Sequence, residues 1–302
     1  MQFKGNLLAV CIAAALSAMP GTVWAGQVYE TNTGDETVGA YTTSGATVSA
    51  PLVSGLSLSE FVAVSGTDLY VTNYASGTIG KYTTSGATVN ASLVSGLSNP
   101  LGLLVSGTDL LVVNNHGGRI GQYTTAGATV NASLITGFSY AYGIALSDDG
   151  LNLFVTNYGA GTIGEYTIGG ATVNASLITG LSGPVAVAVS GTDLYVSNYG
   201  DGTVGHYTTS GATLNPSLLS GFSGLRGIAV SGTDLFVANN GDTIGLYTTS
   251  GATLNPLLIT GLNGVDGIAV VPEPSTAALL ASAAVLLLAA RRSKGRSRPL
   301  YS

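Results

Sequence analysis

Charge, cysteine and histidine are all scarce in this chain of 302 residues. Asp, Glu, Lys and Arg together make up 8% of it, beside one cysteine and two histidines. Each shortage excludes something. A lone cysteine, Cys11, allows no internal disulfide and no cysteine-based metal site. His116 and His206 lie far apart with no second histidine or cysteine beside either, so no zinc site is expected, and no cofactor. Between Gly26 and Val271 fourteen acidic residues face only Lys81, Arg119 and Arg226, a net of −11. A phosphate backbone needs clustered Lys and Arg, so nucleic acid is not an expected partner. No Gly-x-Ser-x-Gly, Walker or dinucleotide fingerprint stands in the right context either. Low charge here does not signal disorder, which combines low hydrophobicity with high net charge. An apolar fraction of 45% can build a core, and 44 glycines with many Ser/Thr runs point to strands and turns.

What is present is a repeat. Tyr41, Tyr82, Tyr123, Tyr166, Tyr207 and Tyr247 recur at intervals of 41, 41, 43, 41 and 40 residues. One unit is "LYVTNYASGTIGKYTTSGATVNASLVSGLSNPLGLLVSGTD", Leu69 to Asp109. "GIAV"-type and "LYVTN"-type runs are continuously apolar, as strands buried on both faces are. "TIGKYTT" supplies a third strand and "ATVNASLV" an outer fourth, joined by "SGTD", "TTSG" and similar turns. Four strands in about 40 residues is the blade of a β-propeller. Six copies of each inner strand predict an all-β, six-bladed propeller over residues 26–271. The first repeat starts at its second strand, and its missing innermost strand comes last, at 267–271. That strand is expected to pair with Gln27 to Thr31, close the ring and remove exposed edges.

The two ends read as addresses. Residues 1–25 carry Lys4, an apolar run from Leu7 to Leu16 and "VWA" before Gly26, the order of a cleavable signal peptide. At the other end Pro272, Glu273 and Pro274 precede 16 mostly apolar residues, Ser275 to Ala290. As a helix these span ~24 Å, marginal for a bilayer core of ~30 Å, and Arg291 and Arg292 follow as the positive-inside rule requires. "VPEPSTAALLASAAVLLLAARR" resembles the PEP-CTERM sorting signal of Gram-negative bacteria that make extracellular polysaccharide. The resemblance implies a sorting segment over 272–296 with a cytoplasmic tail end at 297–302, an exosortase-type enzyme as partner, and transient anchoring in the inner membrane. The expected destination is the cell surface or extracellular matrix, with polysaccharide or a surface protein as a possible partner there.

"LYVTNYASGTIGKY" and "LFVTNYGAGTIGEY" resemble the YVTN-type propeller repeats of microbial surface proteins, and are similar to the broader NHL and gluconolactonase-like propellers. Comparing the six units with one another separates scaffold from site. The "SGTD" and "TTSG" turns barely change. On the opposite face the residue just ahead of each innermost strand varies: Glu60, Leu101, Tyr142, Val185, Arg226 and Asp266. These six are expected to ring the mouth of the central channel as a ligand-binding set. Asp35, Glu36, His116, Arg119, Asp201 and Asp242 lie in turns on the same face. The gluconolactonase resemblance implies a divalent metal there, held by a glutamate, two asparagines and an aspartate. Asp266 and Glu60 suit such a set, but Leu101, Tyr142, Val185 and Arg226 do not, and a hard cation wants several oxygens. An ion pair is expected instead. Asn32, Asn73, Asn114, Asn157, Asn198 and Asn239 occur once per unit and read as turn caps. The sequence is thus read as a non-catalytic binding or structural propeller without metal, with a metal-dependent lactonase-like or lyase-like enzyme as the alternative. The tail carries its own prediction. The mature protein should end near Pro272 to Ser275, and mass spectrometry of protein from its native cells decides this: an intact C-terminus would leave only a plain anchor.

Overall fold

The computed structural model describes residues 26–239 and 242–272. The expected signal segment and the sorting tail from Glu273 onward lie outside the described residues. Among the described residues, 24 strands form six antiparallel sheets of four. Naming the strands A to D outward from the axis, strand A is Ser59–Ser65, Pro100–Ser106, Ala141–Leu146, Pro184–Ser190 and Leu225–Ser231 in the second to sixth blades. In the first blade it is the last strand of all, Val265–Val271. Each strand A packs on the strands A before and after it, and the last on the first, so the ring is closed.

Closure follows the expected register. Gln27 pairs with Val271, Val28 with Val270 and Tyr29 with Ala269. The strand begins two residues earlier than its sequence pattern suggested, because Val265 and Asp266 continue the pairing past a bulge opposite Glu30 to Asn32. The same correction applies around the ring. Glu60, Leu101, Tyr142, Val185, Arg226 and Asp266 are the second residues of their strands A, not residues ahead of them.

The core lies between blades. Six apolar clusters each take residues from two neighbours, for example Tyr29 and Val38 of the first blade with Val62, Leu69 and Val71 of the second. Strand B is buried along nearly all its length and apolar at its centre in the second to sixth blades, because it faces a neighbour on each side. Strand D is exposed along most of its length. In strand C the recurring tyrosine folds its ring back over the glycine two residues earlier: a Cβ on Gly80 would lie 2.6 Å from the Tyr82 ring. The repeated asparagines act as the sequence suggested. Asn32, Asn73, Asn114, Asn157 and Asn239 each accept, through Oδ1, an N–H of the turn leading into strand A of their own blade. Asn198 instead donates to Thr203 Oγ1 at 3.2 Å.

Turns on the two faces differ in strain. On the face away from the varied residues, left-handed backbone falls on Gly45, Gly86, Gly127, Gly170, Gly211 and Gly251, and on Gly66, Gly107, Gly150, Gly191 and Gly232. On the other face Glu36, Leu58, Asn99 and Tyr140 hold φ between 48° and 58°. Left-handed backbone costs a residue with a Cβ ~1–2 kcal/mol, while glycine adopts it freely.

One residue breaks the strand-B pattern. Glu30 stands where the other five blades have Val71, Val112, Val155, Val196 and Val237, and it is fully buried. Asn32 donates to its Oε1 at 3.2 Å, and the Gly39 N–H side of the sheet also favours its charge, yet Oε2 has no partner. Burial dominates, and with the charge of Asp35 it pushes the carboxyl up to about 8. The folded protein therefore holds a proton that the unfolded chain, at 4.5, has lost. Between those values stability falls as pH rises, by at most ~1.4 kcal/mol per pH unit. Glu30→Val should raise stability at pH 8 by ~1–3 kcal/mol and flatten this slope. Urea unfolding of both proteins at pH 5 and pH 8 tests it; an unchanged slope would show that Glu30 is not the group responsible.

Candidate functional site

The site grows out of ring closure. Pairing of Val265–Val271 with the first blade sets Asp266 beside the second blade, where Thr31 ties the two strands A together. Its hydroxyl donates to Glu60 O and accepts from Gly267 N, both at 2.8 Å. A Cβ on Gly267 would lie 2.6 Å from Glu60 O, so only glycine lets these strands approach so closely.

Four of the six varied residues meet at the channel mouth. Arg226 Nε lies 3.2 Å from Asp266 Oδ1, the ion pair expected from the sequence. Arg226 Nη1 donates to Tyr142 Oη at 2.8 Å, reaching from the sixth blade to the fourth. The other carboxylate oxygen of Asp266 accepts from Thr33 Oγ1 at 2.5 Å. Tyr199 lies under the guanidinium, 5.0 Å from ring centroid to Cζ, a cation–π contact. Phe61 of the second blade meets Tyr142 edge-on at 6.1 Å, and Tyr158 lies 6.4 Å from it. These contacts cross the mouth, and the cavity beneath them, lined by Phe61, Ile144 and Ile228 among others, holds about 130 Å³. That is room for a few waters at ~30 Å³ each, so the mouth rather than the channel is where a substrate fits.

Leu101 and Val185 do not join this cluster as open surface. They are 2% and 1% exposed and belong to the packing beneath. The polar turn residues are engaged locally or stand apart. Asp35 accepts from Asn263 Nδ2 at 2.8 Å and Asp201 from Thr203 Oγ1 at 2.8 Å, while His116 is exposed in a 3-10 turn. His206 lies on strand C of the fifth blade, stacked on Tyr195 and 3.2 Å from Asp193. Thr33, Phe61, Tyr158 and Tyr199 were not anticipated as site residues. Tyr158 and Tyr199 share one offset, directly after the repeated asparagine, and that offset was the available signal.

Two carboxyls and one guanidinium share this buried place, and they are not equivalent. Burial pushes both Glu60 and Asp266 up from the usual carboxylate range. Asp266 has Arg226 and Thr33 to support its charge. Glu60 is raised further by the charge of Asp266, is opposed only by Arg226, and its Oε2 is buried without a partner. The proton of the pair therefore resides on Glu60. Tyr142 remains a neutral phenol, since burial and then the charge of Glu60 raise its pKa. Arg226 stays charged. The cluster thus holds a raised carboxyl with a free oxygen beside a fixed cation and a phenol.

The same donors bear on a metal. Both oxygens of Asp266 are taken, by Arg226 and Thr33, and among the described residues no three His, Cys, Asp or Glu side chains converge. The divalent-metal set implied by the gluconolactonase resemblance does not fit these residues.

A family model described as the virginiamycin B lyase family matches residues 16–272. No curated protein sequence matches significantly. Among solved structures, the chain is similar to a catalytically inactive histidine-to-alanine variant of virginiamycin B lyase from Staphylococcus aureus with quinupristin, at 20% identity and TM-score 0.61, over 83% of this chain and 90% of that one. It is also similar to a gluconolactonase from Xanthomonas campestris, at 15% identity and TM-score 0.61, over 74% and 86%. A chain of a nidogen/laminin complex shares the fold at 14% identity and TM-score 0.65, over 82% and 99%. At these identities the structures establish the propeller alone, since one fold carries many functions. The family match goes further, and it overturns the expectation of a non-catalytic module: the relatives that define this family's name are enzymes.

Proposed function

The chain belongs to the virginiamycin B lyase family, and from that premise we propose that it is a lyase-type enzyme whose reacting centre is Glu60 with Arg226, Tyr142 and Asp266. The observation that carries this reading is the buried, unpartnered Oε2 of Glu60 beside a cation already oriented by two partners. A lyase breaks a bond by elimination, without water. A carboxylate with a raised pKa is a stronger base than an ordinary one, and catalytic bases are tuned upward by this kind of burial.

In the proposed step, Glu60 takes a proton from the carbon next to a carbonyl. The electron pair of that C–H bond becomes a C=C bond, and the bond from the neighbouring carbon to its leaving oxygen breaks. Arg226 and the Tyr142 hydroxyl face the charge that develops on the carbonyl oxygen, a role that preorganised donors fill best in a site closed to water. The leaving oxygen then collects the proton held by Glu60, so no proton is gained or lost overall. Asp266 and Thr33 act by fixing Arg226. Glu60 takes the acid–base role because, among the described residues, no histidine touches this cluster. In that respect the chain departs from the relative whose inactive variant lost one.

The ends of the chain belong to the same proposal. The likeness of 1–25 to a signal peptide and of 272–296 to a PEP-CTERM segment supports an exported enzyme, released by an exosortase-type partner and working outside the inner membrane.

Full-length protein offered quinupristin and gluconolactone as probes tests the reaction. Elimination within a cyclic ester leaves the mass unchanged, whereas hydrolysis adds a water. Glu60→Gln should lower kcat by ~10²–10⁴-fold with little change in binding. Because the base acts when deprotonated, kcat/KM should rise with pH through a pKa well above the ordinary value of about 4.3. A product with added water, or full activity in Glu60→Gln, would overturn the proposal.

A further inference from the structure

The repeat samples every backbone position six times, and this turns strain into a signal. Three residues ahead of the channel mouth share one offset with three glycines. Leu58, Asn99 and Tyr140, with φ of 48°, 50° and 58°, occupy the place taken by Gly183, Gly224 and Gly264 in the other blades. The left-handed turn itself is structural. The carbonyls of Leu58, Asn99, Tyr140, Gly183 and Gly264 each accept an N–H from the turn after strand B, at 2.9 to 3.2 Å. Glycine would serve that turn without strain, and does so in half of the ring.

Drift would scatter such strain over both faces. Instead, all eleven left-handed positions named above on the opposite face are glycine, and the four strained residues among the described ones sit on the mouth face. The three that share an offset come from three adjacent blades, the second to the fourth. Each precedes one of the varied strand-A residues by two positions: Leu58 precedes Glu60 and Tyr140 precedes Tyr142, both at the mouth, while Asn99 precedes the buried Leu101. Two of them put large apolar groups into solvent, with Leu58 39% and Tyr140 59% exposed. Strained residues that persist at one place in a fold point to function there. The charged side of the mouth, at Arg226 and Asp266, is flanked by Gly224 and Gly264.

We infer that Leu58, Asn99 and Tyr140 are the specificity-determining rim of this site, recognising a ligand whose apolar or aromatic face lies over the second to fourth blades while its carbonyl meets Glu60 and Arg226. The inference rests on the reading of the mouth as the reacting centre, but concerns what selects the substrate. A methyl-rich side chain, a carboxamide and a phenol suit an amphipathic, peptide-like compound. A small polar lactone would not reach them.

The test uses full-length protein, with quinupristin and gluconolactone as probes and equilibrium binding read apart from turnover. Leu58→Gly and Tyr140→Gly each relieve strain, so each should raise Tm by ~2–4 °C, whereas Asn99→Gly should change it little because asparagine adopts left-handed backbone readily. Quinupristin binding should nevertheless weaken, at least tenfold for Tyr140→Gly and further in the triple variant, while gluconolactone is handled as before. Binding that survives in the triple variant overturns the rim, and so does a Tm that does not rise in Leu58→Gly and Tyr140→Gly. Absence of quinupristin binding by the unaltered protein overturns the ligand class. Rim-dependent binding without turnover overturns the reaction assigned to Glu60 and leaves the rim standing.

Discussion

The pairing of the last described strand with the first is the contact on which the rest of this structure depends. Through it Val265–Val271 completes a blade whose other three strands were laid down at the start of the propeller. Because the core lies between blades, an unclosed ring would leave two half-cores facing water. The cluster joining Phe236 and Ile244 to Val28 and Tyr41 would be bare on one side, and so would the cluster joining Tyr29 to Val62 and Leu69. Burial of apolar area is the dominant favourable term in folding, so the hydrogen bonds of this one pair hold in place far more stabilisation than they contribute themselves. The same pairing delivers Asp266 to Arg226 and Thr33.

Regularity made most of the fold legible. The tyrosine period gave the blade number, since each Tyr packs over its own glycine, and the offset of the first repeat gave the closing strand. The repeated asparagines were readable because a residue required in every blade is tied to the turn that every blade contains. The site was readable only where the repeat breaks. Glu60, Tyr142, Arg226 and Asp266 stood out as departures at one offset, whereas Leu101 and Val185, departures at that same offset, turned inward and were buried. Only packing distinguishes these two outcomes. Thr33 and Tyr199 were missed because their partners lie far away in the chain, across blade boundaries that the period does not describe. The enzyme reading stood only as the alternative for a related reason. The residues of the candidate site are drawn from separate blades, and no linear motif joins them.

Glu30 and Glu60 are both raised by burial, and their surroundings separate their roles. Glu30 is enclosed by the first blade, against Gly39, where no ligand reaches. Its raised pKa is a burden on stability and nothing else. Glu60 faces the mouth, with a cation and a phenol beside it and an oxygen left free. Desolvation acts on both alike; the neighbouring charges, Arg226 above all, set Glu60 apart.

Asp266 sits on the last-made strand of the propeller, while its hydroxyl partner Thr33 lies in the first repeat and its cation partner Arg226 in the sixth. The three come together only when the two ends of the propeller sequence join. A chain still emerging from the ribosome can fold and pack its middle blades, yet it has no anchored Arg226. Under the proposed function the geometry acts as a completeness check, because Asp266 reaches Arg226 and Thr33 only with the final strand.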